Sequence, residues 1–206
     1  MELLKRWNPK SLCAKTCYLS LSAFLLSACA QKFDDLPNSR VLKTCQNPIV
    51  TYQLVDLKRG DYNDLEISNA QIQEMIENSL AQSGCFAQSS QTETIESNNA
   101  YYQLKVIFGN INTQKREGGF WSEYTSDEAI FEVQFNFSQA ETLRIFRGKS
   151  SIQNQNSRYF VFGDKAKLNP NQIQITLQNA INSAINEATR NFIQLQNTDS
   201  TFYPSF

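Results

Sequence analysis

Alternation of apolar and polar residues marks three strands in the second half of the chain. The two-residue period is clear over Ala100–Ile111 and Ala129–Phe137. The third strand, Thr142–Ile152, follows a tight connection at Ser138–Glu141. Because successive strand residues point to opposite faces, this period predicts antiparallel strands with one covered face and one wet face.

Two further segments have the period of an amphipathic helix, and a strand-like run at Ile49–Leu57 precedes both. Ser68 and Gln71 are spaced as a capping box, and Gly84 is placed to end the first helix. The second helix begins at Asn169-Pro170, a cap followed by proline at the first helical position. Its apolar stripe comprises Ile173, Leu177, Ala180, Ile181, Ala184, Ile185, Ala188, Phe192 and Leu195.

The predicted element order is therefore β-α-β-β-β-α. Two helices with one apolar stripe each are expected to cover one face of a mostly antiparallel sheet, which is an α+β two-layer sandwich. We assign this domain to residues 48–197, with a flexible connection at 87–99 and a loose aromatic tail at 198–206.

The first 28 residues have the layout of a secretory signal. A basic segment precedes a mostly apolar stretch at Thr16–Ala28, which is too short to span a bilayer. The stretch ends in Leu26-Ser27-Ala28-Cys29, which resembles the lipobox of bacterial lipoproteins. That resemblance implies cleavage before Cys29, lipidation of its thiol and a tether over residues 29–47. Ala30, rather than Asp, resembles lipoproteins that are sorted to the outer membrane and face the periplasm.

Beyond the leader and Cys29, the chain has two cysteines. An exported protein meets an oxidising compartment, so Cys45 and Cys85 are predicted to form a disulfide. The strand after Cys45 and the helix before Cys85 run antiparallel, which brings the two thiols to the same end of the unit. A redox pair or metal ligands are the alternatives, but neither has its usual spacing here.

Composition excludes several classes of function. The chain has no histidine, which removes Ser-His-Asp and Cys-His catalysis and His-ligated zinc. Without the leader the net charge is −4, and 38 of the 178 residues from Cys29 onward are Asn or Gln. An amide-rich surface without a basic stripe argues against nucleic acid as a partner. The sequence predicts no cofactor, no metal site and no catalytic residue.

Two aromatic runs are the candidate contact surfaces. Phe120, Trp121 and Tyr124 follow Gly118-Gly119 in a predicted loop, and such residues often anchor interfaces. The alternative, which we favour from sequence, is a hairpin whose aromatic rings fold back onto the core. Arg158–Phe162 is a second run, either an edge strand or core packing.

Scattered carboxylates could form a glycosidase pair if two of them met in space. They are Asp56, Asp61, Asp64, Glu66, Asp127 and Glu128. Nothing in their spacing indicates such a pair, and charged loop residues are usually solvated, so we expect no enzymatic activity.

Several short motifs together resemble a group of envelope lipoproteins. They are Leu80-Ala-Gln-Ser-Gly-Cys-Phe86, Ala100-Tyr-Tyr102 and Ala180-Ile-Asn-Ser-Ala-Ile185. The pattern is similar to the curli-secretion-channel lipoproteins and to the lipoprotein activators of penicillin-binding proteins. Secretion channels add long hairpins to a pore, and the apolar alternation predicts no spare strands here, so pore formation is not implied. The element order also resembles lipopolysaccharide-assembly and auxiliary lipid-transport lipoproteins.

The resemblance implies a non-catalytic accessory lipoprotein of the outer membrane that binds another envelope protein. The alternative is a carrier of lipid or another small ligand, held in a cleft between the sheet and the helices.

Overall fold

The computed structural model describes residues 39–61, 63, 66–89, 100–160 and 165–200. The leader, Cys29 and the tail after residue 200 lie outside the described residues, and so does Asp64. The elements are β1 (Val50–Arg59), α1 (Asn69–Ser83), β2 (Phe86–Gln88), β3 (Ala100–Gly118), β4 (Ser122–Gln139), β5 (Thr142–Tyr159) and α2 (Pro170–Ser200).

The predicted caps of α1 are confirmed. The Ser68 hydroxyl accepts a hydrogen bond from the Gln71 backbone N–H at 3.3 Å, and the Gln71 side chain accepts from the Ser68 N–H at 3.1 Å. Gly84 ends the helix at φ 73°, a left-handed conformation that glycine adopts without strain. A Cβ there would also overlap the carbonyl oxygen of Cys45.

The five strands form one sheet in the order β2-β1-β3-β4-β5. β1 pairs in parallel with both β2 and β3, whereas β3, β4 and β5 pair antiparallel. Helix α1 explains the parallel pair β1–β2, because a helical crossover returns the chain to the same end of the sheet.

The prediction of a two-layer sandwich with a mostly antiparallel sheet is wrong. Strand is the most common secondary structure among the described residues, whose five strands form a mixed half-barrel accompanied by two helices. The sequence pattern missed β2, which has three residues, and it made the three long strands too short: it ended β3 and β5 too early and began β4 seven residues too late. These strands reach 19, 18 and 18 residues. Their outer parts are polar on both faces, so no apolar alternation reveals them.

The long strands therefore have two parts. In the core half, β4 places Phe131, Val133, Phe135 and Phe137 at zero exposure, and α2 packs over β4 and β5. A Cβ at Gly148 in β5 would overlap the Ala180 carbonyl oxygen of α2, which shows how closely helix and sheet approach. We call the outer part the arm: residues 112–118 of β3, 122–128 of β4 and 153–159 of β5.

The domain is tied to the segment that precedes β1. Cys45 and Cys85 form a disulfide whose Cα atoms are 5.0 Å apart. Further upstream, amide side chains of α2 bind the backbone of Ser39–Leu42. Asn179 accepts from the Ser39 N–H at 2.7 Å, Asn182 donates to the Ser39 carbonyl, and Asn186 accepts from the Leu42 N–H at 3.3 Å. Residues 39–42, which we predicted as part of a tether, are thus docked along α2.

Candidate functional site

The end of the arm is shaped by the turn between β3 and β4. Gly118 has φ 111°, and a Cβ there would overlap the Ser122 carbonyl oxygen, so only glycine fits this position. The Gly119 N–H donates to the same oxygen at 2.9 Å. This narrow turn places Phe120 and Trp121 at the apex of the hairpin, beyond the last cross-strand pair, Gly118 with Glu123.

The end of β5 brings a third aromatic ring to the apex. Phe160 follows β5, has φ 58° and donates its N–H to the Trp121 carbonyl at 3.1 Å. The rings of Phe120, Trp121 and Phe160 meet edge to face, with centroids 5.0 to 6.4 Å apart. We call these three residues the aromatic tip. One residue of the second aromatic run therefore joins the first run in a cluster; Val161 and Phe162 of that run lie outside the described residues.

The aromatic tip is open to solvent. Phe120 is 74% exposed, Trp121 is 69% exposed and Phe160 is 50% exposed. The favoured expectation that the loop aromatics fold back onto the core is therefore wrong. Because the rings contact one another, they present one apolar patch rather than scattered side chains. A patch of this kind on a soluble domain is typical of a contact surface.

Of the three residues predicted for partner binding, the structure brings two together. Phe120 and Trp121 belong to the aromatic tip, but Tyr124 lies inside β4, half-buried and opposite Glu117. The sequence did not assign Phe160 to the site. Its only signal was the aromatic run Arg158–Phe162, and nothing in the spacing showed that Phe160 lies beside Trp121.

A paired charge lies below the tip. The Arg116 Nε atom is 2.5 Å from one Glu123 oxygen, and its Nη2 donates to the other at 3.1 Å. The Arg116 side chain is 70% exposed while that of Glu123 is 11% exposed. This two-point pair links β3 to β4 beside the turn. Because the two charges neutralise each other, they add little net charge beside the apolar patch.

Polar bonds hold the arm to the segment before α2. The Asp127 carboxylate accepts from the Leu168 N–H at 3.0 Å, and the Thr125 hydroxyl accepts from the Ala166 N–H at 2.9 Å. Asn154 donates to the Lys167 carbonyl at 2.8 Å. Asp127 and Thr125 are both 7% exposed. Their side chains replace the apolar contacts that the core half makes with α2.

The carboxylates that the sequence singled out do not converge on a reaction centre within the described residues. Asp127 binds a backbone N–H, and Asp56 pairs with Lys58 at 3.3 Å. Across the described ranges, no group of three His, Cys, Asp or Glu residues could hold a metal ion. The same ranges contain no helix long and apolar enough to span a membrane.

A cluster of aromatic rings packs between the sheet and α2. Phe137 contacts four neighbours at centroid distances of 5.3 to 6.2 Å, namely Phe86, Tyr102, Phe146 and Phe192. Cavities lie elsewhere. A polar cleft of about 560 Å³ separates α1 from α2, and its walls include Gln71, Asn78, Gln178 and Asn182. A groove of about 270 Å³ on the other face of the sheet is lined partly by Ile107, Ile111 and Ile130.

No family model matches the chain, and no curated protein matches it. A solved structure described as a neuraminyllactose-binding hemagglutinin homolog from Helicobacter pylori is similar at 11% identity. Its TM-score is 0.44 over 82% of this chain and 97% of that chain. A PelC dodecamer from Paraburkholderia phytofirmans is 12% identical, with TM-score 0.30 over 76% and 95% of the two chains. A hypothetical protein from Chlamydia trachomatis is 10% identical, with TM-score 0.29 over 72% and 95%. None of these is described as a curli-secretion protein or a penicillin-binding-protein activator, so that resemblance stays a prediction.

Proposed function

We propose that the protein is a non-catalytic accessory lipoprotein of the outer membrane, facing the periplasm, that binds another envelope protein through the aromatic tip. The observation that carries the proposal is the exposure of Phe120, Trp121 and Phe160 in one mutually packed cluster at the end of the arm. Aromatic side chains are enriched among the residues that dominate binding energy at protein interfaces.

The surroundings of the tip favour a protein partner. The strands below it carry hydroxyl, amide and charged groups, with charges of both signs, and Arg116 pairs with Glu123 beside the turn. An apolar centre inside a polar rim has the anatomy of a transient protein interface. We therefore expect the rings to insert into a pocket of the partner while the arm contributes rim contacts.

The docked segment limits where the partner lies. Cys29 and Ser39 are ten positions apart in the chain, and the Ser39 backbone is bound by Asn179 and Asn182 of α2. A fully extended stretch of that length spans at most about 36 Å. If Cys29 is lipidated, the domain stays within that distance of the membrane surface. The partner then has to be accessible to a domain that is held near the membrane surface.

The chemistry of the described residues supports an accessory role over an enzymatic one. The chain has no histidine, and the buried Asp127 carboxylate is engaged with the Leu168 N–H. A lipid carrier is the weaker proposal, since the aromatic cluster around Phe137 and the fully buried aliphatic side chains of both helices pack between sheet and helices, where a ligand cleft was expected.

Photo-crosslinking in intact cells tests the proposal. A photo-reactive amino acid replaces Trp121 in the full chain, and crosslinked proteins are identified by mass spectrometry. The matched control carries the same residue at Leu143, which is 58% exposed and is the second residue of β5, at the opposite end of the β4–β5 hairpin. We expect one dominant envelope protein from position 121 and not from position 143. Equal yields of the same proteins from both positions would refute tip-directed binding.

A further inference from the structure

Strand β5 leaves one side of the sheet open. It is the last strand in the order β2-β1-β3-β4-β5, and no strand of the described residues pairs with its outer side. The Asn156 carbonyl accepts from the Thr125 side chain of β4, whereas the Arg147 N–H is bound by Glu187 of α2. Even-numbered residues of β5 thus direct their backbone groups toward β4, and odd-numbered residues direct theirs away from it.

Side chains close this edge at two points and leave a stretch between them. The Glu187 carboxylate accepts from the Arg147 N–H at 3.1 Å, and the Asn156 side chain accepts from the Ser157 N–H at 3.0 Å. Between these caps, residues 149, 151, 153 and 155 turn their N–H and C=O groups outward. We call Lys149–Gln155 the open edge. Its odd-numbered residues are all exposed.

The open edge lacks most of the features that keep edge strands apart. The β4–β5 register runs without a shift from Gln139 opposite Thr142 to Ser122 opposite Tyr159, so no bulge twists the edge away. The open edge contains no proline, and its one charged residue is Lys149. Proteins usually block long edges with bulges, prolines or several charges, because an unblocked edge is a template for another strand.

We propose that the open edge pairs antiparallel with the open edge of a second copy of this chain, around a two-fold axis at Ile152. This register sets Ser151 opposite Gln153 of the partner subunit and Lys149 opposite Gln155 of the partner subunit. Four residue pairs then have backbone groups that face each other across the two copies. Because each such pair exchanges two hydrogen bonds, about eight hydrogen bonds join the two chains. Two five-stranded sheets become one continuous sheet.

A second copy fits this edge because the segment is complementary to itself. Under the two-fold axis the two Lys149 side chains lie at opposite ends of the pairing, so like charges do not face each other. The remaining side chains of the open edge are hydroxyl, amide and one isoleucine, so no like charges stand directly opposite each other. The caps at Arg147 and Ser157 explain why the pairing stops at both ends.

Charge variants at the directly opposed positions test the pairing and its register together. The full chain, purified in detergent, is examined by light scattering over a concentration series. Ser151→Lys with Gln153→Lys places two pairs of like charges across the axis, and we expect the dimer dissociation constant to rise at least tenfold. Ser151→Lys with Gln153→Glu places opposite charges there and is expected to retain the dimer. Circular dichroism melts show whether both variants stay folded.

A proline variant tests the backbone contribution separately. Gln153→Pro removes an N–H that points away from β4, so the internal sheet keeps its hydrogen bonds while the proposed dimer loses two of its own. Gln153→Thr keeps the N–H and is the matched control. A native chain that stays monomeric throughout the series would overturn the proposal. A dimer equally stable in the two charge variants would overturn it as well.

Discussion

The core half and the arm of the same three strands are stabilised in different ways. In the core half, Phe131, Phe135 and Phe137 are fully buried, and α2 approaches β5 so closely that only glycine fits at position 148. In the arm, the residues of β4 that become buried are Thr125, Ser126 and Asp127. The arm therefore relies on the backbone ladder and on polar side chains that bind the chain before α2.

Within one sheet, the residues that we expect to stabilise the fold therefore differ from those that we expect to bind a partner. Apolar burial contributes roughly 25 cal/mol for each Å² removed from water, and the core half holds most of that area. The aromatic tip at the end of the arm places Phe120 and Trp121 in solvent instead. Residues of the core half should thus determine stability, whereas residues of the aromatic tip should determine binding.

The largest expected effect comes from the aromatic centre of the core half. Phe137→Ala removes a ring that contacts Phe86, Tyr102, Phe146 and Phe192, so we expect unfolding free energy to fall by about 3–5 kcal/mol. Urea denaturation measures the change. A loss below about 1 kcal/mol would show that the core half tolerates the cavity and that the comparison is mistaken.

Two glycines give a matched pair, one in each region. Gly148→Ala forces a methyl group against the backbone of α2, and we expect a loss of about 1–3 kcal/mol from overpacking. Gly119→Ala lies in the turn at the end of the arm, and no atom lies within 4 Å of its new Cβ. Its unfolding midpoint in urea should stay within experimental error of the native chain. Equal losses for the two variants would contradict the assignment of tight packing to the core half alone.

We next predict the loss of stability when a polar contact that supports the arm is removed. Asp127→Ala leaves the Leu168 N–H without its acceptor, which should cost about 1–3 kcal/mol. Hydrogen exchange measured by mass spectrometry should become faster around residues 166–168 and stay unchanged in β3 near Val106. Glu128→Ala, one residue along and on the other face of the strand, is the control. Uniformly faster exchange across the whole sheet would mean that Asp127 supports the core half as well.

We also predict how the unfolding free energy depends on pH, from the buried Tyr52 of β1. Burial, with a smaller effect from Glu77, raises the pKa of the Tyr52 hydroxyl above its ordinary value of 10.0. The folded state keeps this proton while the unfolded state loses it above that pH, so Tyr52 should make the unfolding free energy decrease as pH rises beyond about 10. Tyr52→Phe should make that decrease shallower in urea titrations from pH 8 to 11. An unchanged slope would show that Tyr52 ionises equally in both states.

The sequence predicted the core half well for a physical reason. Alternating apolar residues, the Ser68–Gln71 capping box and the Gly84 stop are local signals, and the structure has strands and helix where they lie. The arm escaped prediction because its strands carry polar residues on both faces, as in Gln153-Asn-Gln-Asn156. Pairing with neighbours, rather than the local pattern, makes these residues strands.

The sheet order and the site needed long-range information. The parallel pairing of β1 with β3 joins segments about 50 residues apart, Val50 with Ala100, and no local signal specifies it. The aromatic loop was recognised from Gly118-Gly119 and its neighbours, but its exposure was not. Phe160 joins Trp121 only because β4 and β5 end together, with Ser122 opposite Tyr159.

The most direct test of the separation between folding and binding is a double variant of the tip. Phe120→Ala with Trp121→Ala should change unfolding free energy by no more than about 0.5 kcal/mol, because exposed side chains contribute little to stability. The same variant should lose capture of the partner identified by crosslinking, with at least a thirtyfold weaker dissociation constant, about 2 kcal/mol at an interface hot spot. Loss of stability comparable to that of Phe137→Ala, or unchanged capture of the partner, would contradict the account.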